Sequence, residues 1–356
     1  MGKTPIAKRL GAAAGVLGTA AMLTLGAGGA AAQDAGELYL YNWANYFPPE
    51  LIEKFEQDTG VDVTLDVYDS NETMLAKLQA GASGYDIVFP SGYMVGVMIE
   101  EGLARKIDAG EMANFDKVQP PHAAPSYDPE RAYSAPYMWG TTGIGYDTAR
   151  APELEASWEE FFKPRDELKG KIAALNDQVE MYNAGARYLG IDVCTEQPEQ
   201  AQKILDLLEG QKPHLAMYSS TGTIDRMVAG EVVMHHMWNG AAHRAKEQRE
   251  SITYLYPKEG LAFWSDNMVV VADAPNPDNA RTFIDWMMEP ENAAAASNYT
   301  GYMNAIKGSS EYLDAALKND PAVNMPEEFA DRLRPSKECS PAARELRDKV
   351  WTRLKN

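Results

Sequence analysis

The sequence predicts an α/β protein of two lobes that several chain segments connect. Strand and helix patterns alternate in two separate stretches, and no low-complexity linker divides them. The chain has 356 residues, which exceeds the usual size of one domain and is enough to bury two substantial cores. Its 45% hydrophobic and 24% charged residues are typical of folded globular proteins, which excludes intrinsic disorder and a collagen-like repeat.

The N-terminus has the pattern of a secretory signal peptide. Lys3, Lys8 and Arg9 precede an uncharged stretch of Ala, Gly and Leu, residues 10–32, that ends in three alanines. The stretch is long enough to be a membrane anchor instead, but its small-residue end favours cleavage. We therefore expect residues 1–32 to be removed from an exported, soluble protein.

The net charge is strongly negative. Lys and Arg number 33 against 52 Asp and Glu, a charge of −19, and loss of the signal peptide leaves 30 basic residues and a charge of −22. Such a surface argues against nucleic-acid binding and favours a cationic ligand. The two cysteines, Cys194 and Cys339, lack metal-ligand spacing; an oxidising compartment permits a disulfide, but the sequence leaves their pairing open.

The first hundred residues after the signal peptide alternate strand and helix. Alternating valines mark the second strand, Gly60 ends the first helix and Ser70 caps the second. This order predicts a parallel sheet covered by helices on both faces. The predicted strands lie at 38–43, 61–67 and 85–89, and the predicted helices at 49–59 and 71–80.

A second α/β stretch follows a proline-rich passage. The glycines of residues 139–145 are predicted to lie in a strand that crosses between the lobes, where backbones pack closely. After it, strands are predicted at 171–175, 232–238 and 267–272, and helices at 179–189, 198–208, 223–229, 277–288 and 341–354.

Signatures of catalysis are scarce. The sequence contains no nucleophile elbow, P-loop, zinc-protease motif or dinucleotide-binding fingerprint. His235 and His236 are adjacent on a predicted strand and face opposite ways, so packing is favoured over a shared metal ion. Asp177 and Glu180 could serve a secreted glycoside hydrolase, but acids in one helical turn do not flank a sugar from opposite sides. We expect neither an enzyme nor a metal or cofactor site.

Aromatic residues and carboxylates cluster at the predicted strand ends. Ligands of parallel sheets bind beyond the carboxyl ends of strands, so segments 41–46, 68–71 and 90–93 belong to one rim. Asp177 and Glu180 follow another strand on one helical face, and Asp266 precedes the next strand. Carboxylates neutralise ammonium groups, and aromatic faces add about 0.5–2 kcal/mol each as cation–π partners. The pattern therefore indicates an amine ligand.

At these positions the chain resembles the periplasmic spermidine/putrescine-binding proteins of polyamine ABC importers, within the bacterial extracellular solute-binding proteins. The resemblance covers nearly all of the mature chain. The matching motifs are Tyr41-Asn42-Trp43, Asp69-Ser70-Asn71-Glu72, Phe89-Pro90-Ser91, Pro136-Tyr137-Met138-Trp139-Gly140, Trp238-Asn239-Gly240, Pro257-Lys258-Glu259-Gly260 and Gly301-Tyr302. It implies the two-lobed periplasmic binding protein fold of type II, with a ligand cleft that closes by hinge motion between mainly parallel sheets.

The resemblance also implies roles for individual residues. Glu180 and Asp266 would bind ammonium groups, Asp177 matches an acid of the spermidine-binding branch, and Ser91 and Tyr93 would line the rim of the first lobe. The aromatic box would consist of Trp43, Tyr46, Trp238, Trp264 and Tyr302. The implied partners are a small cationic amine and an ABC permease in the inner membrane, with the receptor acting as a periplasmic monomer.

Three departures from the family pattern bear on the ligand. Asn45 stands where the family usually has an acid, Ala241 replaces an acid of the putrescine-selective branch, and Cys339 stands near a glutamine of the spermidine branch. The same fold could therefore bind a monoamine or zwitterion such as 4-aminobutyrate, although no Arg is evidently placed for its carboxylate. The expected lobes are 33–141 with 265–310, and 142–264 with 311–356.

Overall fold

The computed structural model describes residues 36–81 and 83–356, so the predicted signal peptide lies outside the described residues. The strands are β1 (Glu37–Trp43), β2 (Asp62–Tyr68), β3 (Ile87–Val88), β4 (Ser134–Asp147), β5 (Ile172–Ala174), β6 (Leu215–Tyr218), β7 (Met234–Trp238), β8 (Ile252–Leu255), β9 (Leu261–Val270), β10 (Met303–Asn304) and β11 (Leu333–Pro335). The helices are α1 (Pro49–Thr59), α2 (Asn71–Gln79), α3 (Gly92–Glu100), α4 (Pro120–Ala123), α5 (Glu159–Phe162), α6 (Gln178–Tyr188), α7 (Pro198–Gln211), α8 (Thr223–Ala229), α9 (Asn239–Gln248), α10 (Pro277–Met287), α11 (Pro290–Thr300), α12 (Ala315–Asn319) and α13 (Pro341–Lys355).

The strands form one continuous sheet rather than two separate ones. Its main path runs β2-β1-β3-β9-β4-β7-β5-β6, with β8 and β10 paired to β4 and β11 paired to β9. Each end of the path is a parallel trio, β2-β1-β3 and β7-β5-β6. Between them, β9 and β4 run antiparallel to their neighbours on this path, whereas β11 is parallel to β9. These two long strands connect the predicted α/β stretches.

Local signals place the first two helices where the sequence predicts them. Pro49 occupies the first turn of α1, and the N–H of Gly60, at φ +76°, bonds to the carbonyl oxygen of Glu56 and ends the helix. Ser70 caps α2 by accepting a hydrogen bond from the N–H of Thr73. The two caps fix where α1 ends and where α2 begins, and so set the path of the chain before and after β2.

The glycines of β4 permit close packing, as the sequence predicts. A Cβ atom on Gly140 would lie 2.5 Å from Oδ1 of Asn239 and 2.6 Å from the Trp264 ring. One on Gly143 would lie 2.6 Å from the carbonyl oxygen of Leu255. Real Cβ contacts are longer than this, so larger residues would push β4 away from its neighbours.

Two large hydrophobic cores flank the crossing strands. One packs β1 and β3 against α1 and α10 around Phe55 and Phe283. The other packs β5 and β7 against α6 and α7 around Trp158 and Tyr182. Each contains side chains with less than 2% of their surface exposed. Burial of apolar surface stabilises each core by about 25 cal/mol per Å². The two cores therefore hold the two halves of the sheet rigid, and these halves support the site.

The histidine pair is part of the packing. His235 and His236 are fully buried, with a ring nitrogen of His235 2.6 Å from the carbonyl oxygen of His236 and one of His236 3.2 Å from the Met181 sulfur. Burial lowers the pKa of His235 to about 4 and that of His236 to about 3, so both rings are neutral. Among the described residues, no group of three metal-ligating side chains occurs.

The two cysteines are joined by a disulfide. Cys194 follows α6 and Cys339 precedes α13, and their Cα atoms are 5.1 Å apart. The bond closes a loop between positions 145 residues apart in sequence. It therefore ties the last segment of the chain to the α6 region. No helix in the described part of the chain has the length and apolar character to cross a bilayer.

Candidate functional site

One cavity of about 270 Å³ is bordered by the ends of β1 and β7, the starts of α3, α6 and α9, and the middle of β9. Its volume is close to the lower end of the range for small-molecule sites, about 300–1,000 Å³. All the residues predicted to bind ligand line it, namely Trp43, Asn45, Tyr46, Ser91, Tyr93, Asp177, Glu180, Trp238, Trp264, Asp266 and Tyr302. The structure therefore brings the whole predicted set together in one place.

Asp266 lies in the interior of β9, not before the strand as the sequence predicts. Its carboxylate accepts hydrogen bonds from the Ser91 hydroxyl at 2.7 Å and the Tyr46 hydroxyl at 2.9 Å. Burial raises its pKa to about 7, the Glu180 carboxylate adds to this, and the two hydroxyl groups act in the opposite direction. Because β9 crosses between the halves of the sheet, an acid in its middle lies at the centre of the molecule.

The start of α6 supplies two more carboxylates, as predicted: Asp177 is buried and Glu180 is half-buried. Asp177 caps the helix by accepting hydrogen bonds from the N–H groups of Val179 at 2.9 Å and Glu180 at 3.0 Å. Glu180 accepts a hydrogen bond from the Thr142 hydroxyl at 2.7 Å. Burial raises the pKa of both carboxyls, and the charges of Glu72 and Glu180 raise that of Asp177 further.

None of these three carboxylates has a protein cation beside it. Among the described residues, no Lys, Arg or His nitrogen forms an ion pair with Asp177, Glu180 or Asp266. The charge of Arg187 lowers the pKa of Glu180 but does not outweigh burial. The cavity therefore offers carboxylates whose ionised form a bound cation would stabilise.

Aromatic rings form the walls. Trp264 and Tyr302 are packed edge to face with centroids 5.1 Å apart, and Tyr46 contacts Tyr302 at 5.6 Å. Trp43 and Trp238 approach to 6.5 Å. The Trp264 indole donates a hydrogen bond to the Thr142 hydroxyl at 3.1 Å, so the protein itself satisfies its N–H and fixes the ring.

The start of α3 forms a polar rim with α2. The side-chain amide of Asn71 donates to the Ser91 hydroxyl at 3.2 Å and to the Tyr93 hydroxyl at 3.0 Å. Tyr93 in turn donates to Glu72 at 3.2 Å. Asn71 is buried and lines the cavity. It lies in the segment 68–71 that the sequence places on the rim, although Asn71 itself is not among the predicted ligand-binding residues.

Two features of the structure bear on the departures. The sequence shows no Arg evidently placed for a carboxylate, but Arg244, on α9, lines the cavity, and its guanidinium lies 3.5 Å from the carbonyl oxygen of Asn45. Cys339 is bonded to Cys194 and does not line the cavity, whereas Ser336 of the same segment does. No local pattern indicates Arg244, because α9 is not among the predicted helices.

This arrangement can hold a small cation. Carboxylates from β9 and α6 face one cavity with aromatic rings between them. An ammonium group removed from water costs several kcal/mol unless it is paired, and these carboxylates supply the pairing. The flat rings can cover the methylene groups between two amines at about 0.8 kcal/mol each.

Comparisons with known proteins agree with this chemistry. Residues 50–326 match the family model described as bacterial extracellular solute-binding protein. The chain is 35% identical over 303 residues to the spermidine/putrescine-binding periplasmic protein of Escherichia coli K12, covering 85% of this chain and 86% of that protein. It is 30% identical over 335 residues to the putrescine/agmatine-binding protein of Pseudomonas aeruginosa, covering 89% and 91%.

A solved structure shows the same fold. The spermidine/putrescine ABC transporter substrate-binding protein PotD of Streptococcus pneumoniae superposes with a TM-score of 0.73 at 29% identity, covering 90% of this chain and 98% of that one. The predicted resemblance and the predicted two-lobed α/β fold are both confirmed. The chain belongs to the family of bacterial extracellular solute-binding proteins.

Proposed function

We propose that this protein is the periplasmic receptor of an ABC importer and that it binds a polyamine such as spermidine or putrescine. The observation that carries the proposal is a set of three carboxylates, Asp177, Glu180 and Asp266, that line one aromatic cavity and form no ion pair with a cation of the described residues. Relatives over most of the chain are named as spermidine/putrescine-binding and putrescine/agmatine-binding proteins, which supports an amine ligand over a zwitterion.

Binding works by closure of the two lobes on the ligand. We assign residues 33–141 with 265–310 to the first lobe and 142–264 with 311–356 to the second. Asp266 then belongs to the first lobe, and Asp177 and Glu180 belong to the second. A diamine that pairs with acids of both lobes binds the closed form better than the open form and shifts the equilibrium between them.

The compartment and partner follow from the same role. Residues 1–32 are removed on export, and the mature monomer delivers its ligand to a permease in the inner membrane. The ligand is returned chemically unchanged, because the receptor contributes affinity and no reaction.

Isothermal titration of the secreted protein with putrescine, spermidine, spermine and 4-aminobutyrate tests the proposal. We expect saturable heat with at least one polyamine and a rise in the thermal unfolding midpoint at the same concentrations. Mass spectrometry of the recovered ligand should show no chemical change. Absence of heat and of a thermal shift with every amine would overturn the proposal.

A further inference from the structure

Arg244 brings a positive charge to a cavity that we propose binds cations. It lines the same cavity as Asp177, Glu180 and Asp266, in a chain whose acidic residues outnumber its basic ones by 19. Among the described residues, no carboxylate forms an ion pair with it, although Asp225 also lines the cavity. Its positive charge is therefore not neutralised by the protein.

Contacts with aromatic and backbone groups set the position of the guanidinium. Its central carbon lies 5.1 Å from the centroid of the Tyr299 ring, and one nitrogen lies 3.5 Å from the carbonyl oxygen of Asn45. The charge of Arg244 also acts against the burial that raises the pKa of Tyr302, which places the guanidinium near the aromatic walls. The long contact to Asn45 leaves most of its N–H donors without a strong acceptor.

Arg244 meets an uncharged group at the cavity. Asn45, which is exposed and adopts the left-handed conformation at φ +57°, faces the guanidinium with its backbone carbonyl oxygen. Ala241, one helical turn before Arg244 on α9, presents only a methyl group to the cavity. Carboxylates at the α6 end and a guanidinium at the α9 end make the cavity asymmetric in charge.

An asymmetric cavity favours an asymmetric ligand. A guanidinium repels an ammonium group placed beside it, whereas it forms two parallel hydrogen bonds with a carboxylate and strong single ones with an amide carbonyl.

We propose that Arg244 determines ligand specificity: the site prefers an amine chain whose cationic end lies at Asp177, Glu180 and Asp266 and whose other end, beside Arg244 and Asn45, carries a carbonyl oxygen. The inference rests on the proposed amine receptor and adds which end groups it accepts. A polyamine acylated at one nitrogen and an amino acid with a terminal amine share this chemistry.

Three ligands with the same four-methylene chain separate the end groups. Putrescine ends in a second ammonium, N-acetylputrescine in an amide and 5-aminovalerate in a carboxylate. The affinity of each is measured by isothermal titration with the secreted wild-type protein, R244Q, R244K and N45D. R353Q is the control, because Arg353 is exposed and lies outside the cavity while its loss changes the net charge equally.

We expect R244Q to raise the affinity for putrescine relative to that for the two carbonyl ligands by about fivefold, the size of one partly exposed charge interaction. R353Q should keep the wild-type ratio, and R244K, which keeps the charge but loses the two parallel hydrogen bonds, should fall between wild type and R244Q. N45D should move the ratio in the direction of R244Q by placing a carboxylate near Arg244. A larger change for 5-aminovalerate than for N-acetylputrescine identifies the carboxylate as the preferred oxygen, and the reverse identifies the amide.

Two results would overturn the inference. If amines bind but R244Q and N45D both leave the ratio of affinities at the wild-type value, Arg244 does not choose the end group and the proposed receptor function stands. If wild type binds none of the ligands and no polyamine, the receptor function fails and the inference fails with it. N45D keeps the test valid if R244Q does not fold.

Discussion

Asp266 and Asp320 are buried to nearly the same degree, with 5% and 7% of their surface exposed, yet their surroundings differ. Asp320 lies 2.8 Å from a ring nitrogen of His243 and 3.3 Å from the Lys246 ammonium, and these groups lower its pKa to about 2 in spite of burial. Asp266 receives hydrogen bonds only from hydroxyl groups, and burial raises its pKa to about 7.

The difference shows what distinguishes a carboxylate that is paired with a protein cation from one that is available to pair with a cationic ligand. Burial penalises the charged form of both, but the fold supplies a compensating cation only to Asp320. At Asp266 the cost of burying the charge is not offset by a protein cation. A bound cation can therefore form the charge interaction that His243 and Lys246 already provide to Asp320. The charge of Asp266 therefore favours ligand binding but lowers the stability of the ligand-free protein.

The largest effect is expected from D266N. The amide keeps the size and one acceptor but removes the charge, so the affinity for spermidine should fall by at least about 100-fold, as for loss of one partner of a buried charge pair. The unfolding free energy of the ligand-free protein should stay constant or rise, because a buried charge is removed. Titration calorimetry and urea unfolding measure the two effects, and full retention of affinity would contradict the account.

D320N is the matched variant and should show the opposite pattern. Loss of one partner of a buried ion pair leaves His243 and Lys246 without their carboxylate and should lower the unfolding free energy by about 3 kcal/mol. Spermidine affinity should remain within about threefold of wild type, because Asp320 does not line the cavity. A loss of affinity equal to that of D266N would show that the comparison is wrong.

The contributions of the two carboxyl groups to stability should also differ in their pH dependence. The pKa of Asp266 is higher in the folded than in the unfolded protein, so its contribution to stability is full below about pH 4 and is lost as pH rises to about 7. The pKa of Asp320 is lowered, so its contribution is present above about pH 4 and is lost as pH falls towards 2. Urea unfolding of ligand-free wild type and D266N between pH 4.5 and 7.5 isolates the first effect.

We expect the stability of D266N relative to wild type to increase by roughly 2–4 kcal/mol from the lower to the upper end of this range. Equal pH dependence of the two proteins would mean that Asp266 is not protonated at neutral pH in the ligand-free protein.

The smallest effect is expected at the aromatic walls. W264L keeps an apolar side chain but removes the indole face, so spermidine affinity should fall by about fivefold, the value of one cation–π contact. W139L is the control, because Trp139 is on the neighbouring strand, is partly buried and does not line the cavity. Equal losses from both variants would show that Trp264 acts through packing alone.

The sequence predicts the elements of the site better than the connections between them. Pro49, Gly60 and the Ser70 cap are local signals, and the helices next to them form where predicted. The sequence predicts that Asp266 precedes a strand at 267–272, whereas Asp266 lies within β9. The alternation of apolar and polar residues does not reveal that β9 continues through the centre of the sheet. That continuation depends on pairing with β4, a long-range contact that no local pattern contains.

Arg244 shows a second limit. The residues after Trp238 begin with Asn-Gly, a pair typical of turns, yet α9 starts there without a loop. Tertiary contacts decide this, since Asn239 hydrogen-bonds through its side chain to the N–H of Thr141 and to the carbonyl oxygen of Ala322. Without the helix, nothing in the sequence places position 244 beside Asn45.

Proton release on binding tests the central claim most directly. At pH 6.5 Asp266 is mostly protonated in the ligand-free protein, and a bound ammonium group favours its ionised form. Titration of spermidine into the protein in buffers of different ionisation enthalpy should therefore show release of about one proton per ligand, and D266N should release less. Binding heats that are the same in all buffers would contradict the claim that a bound cation supplies the charge partner that Asp266 lacks.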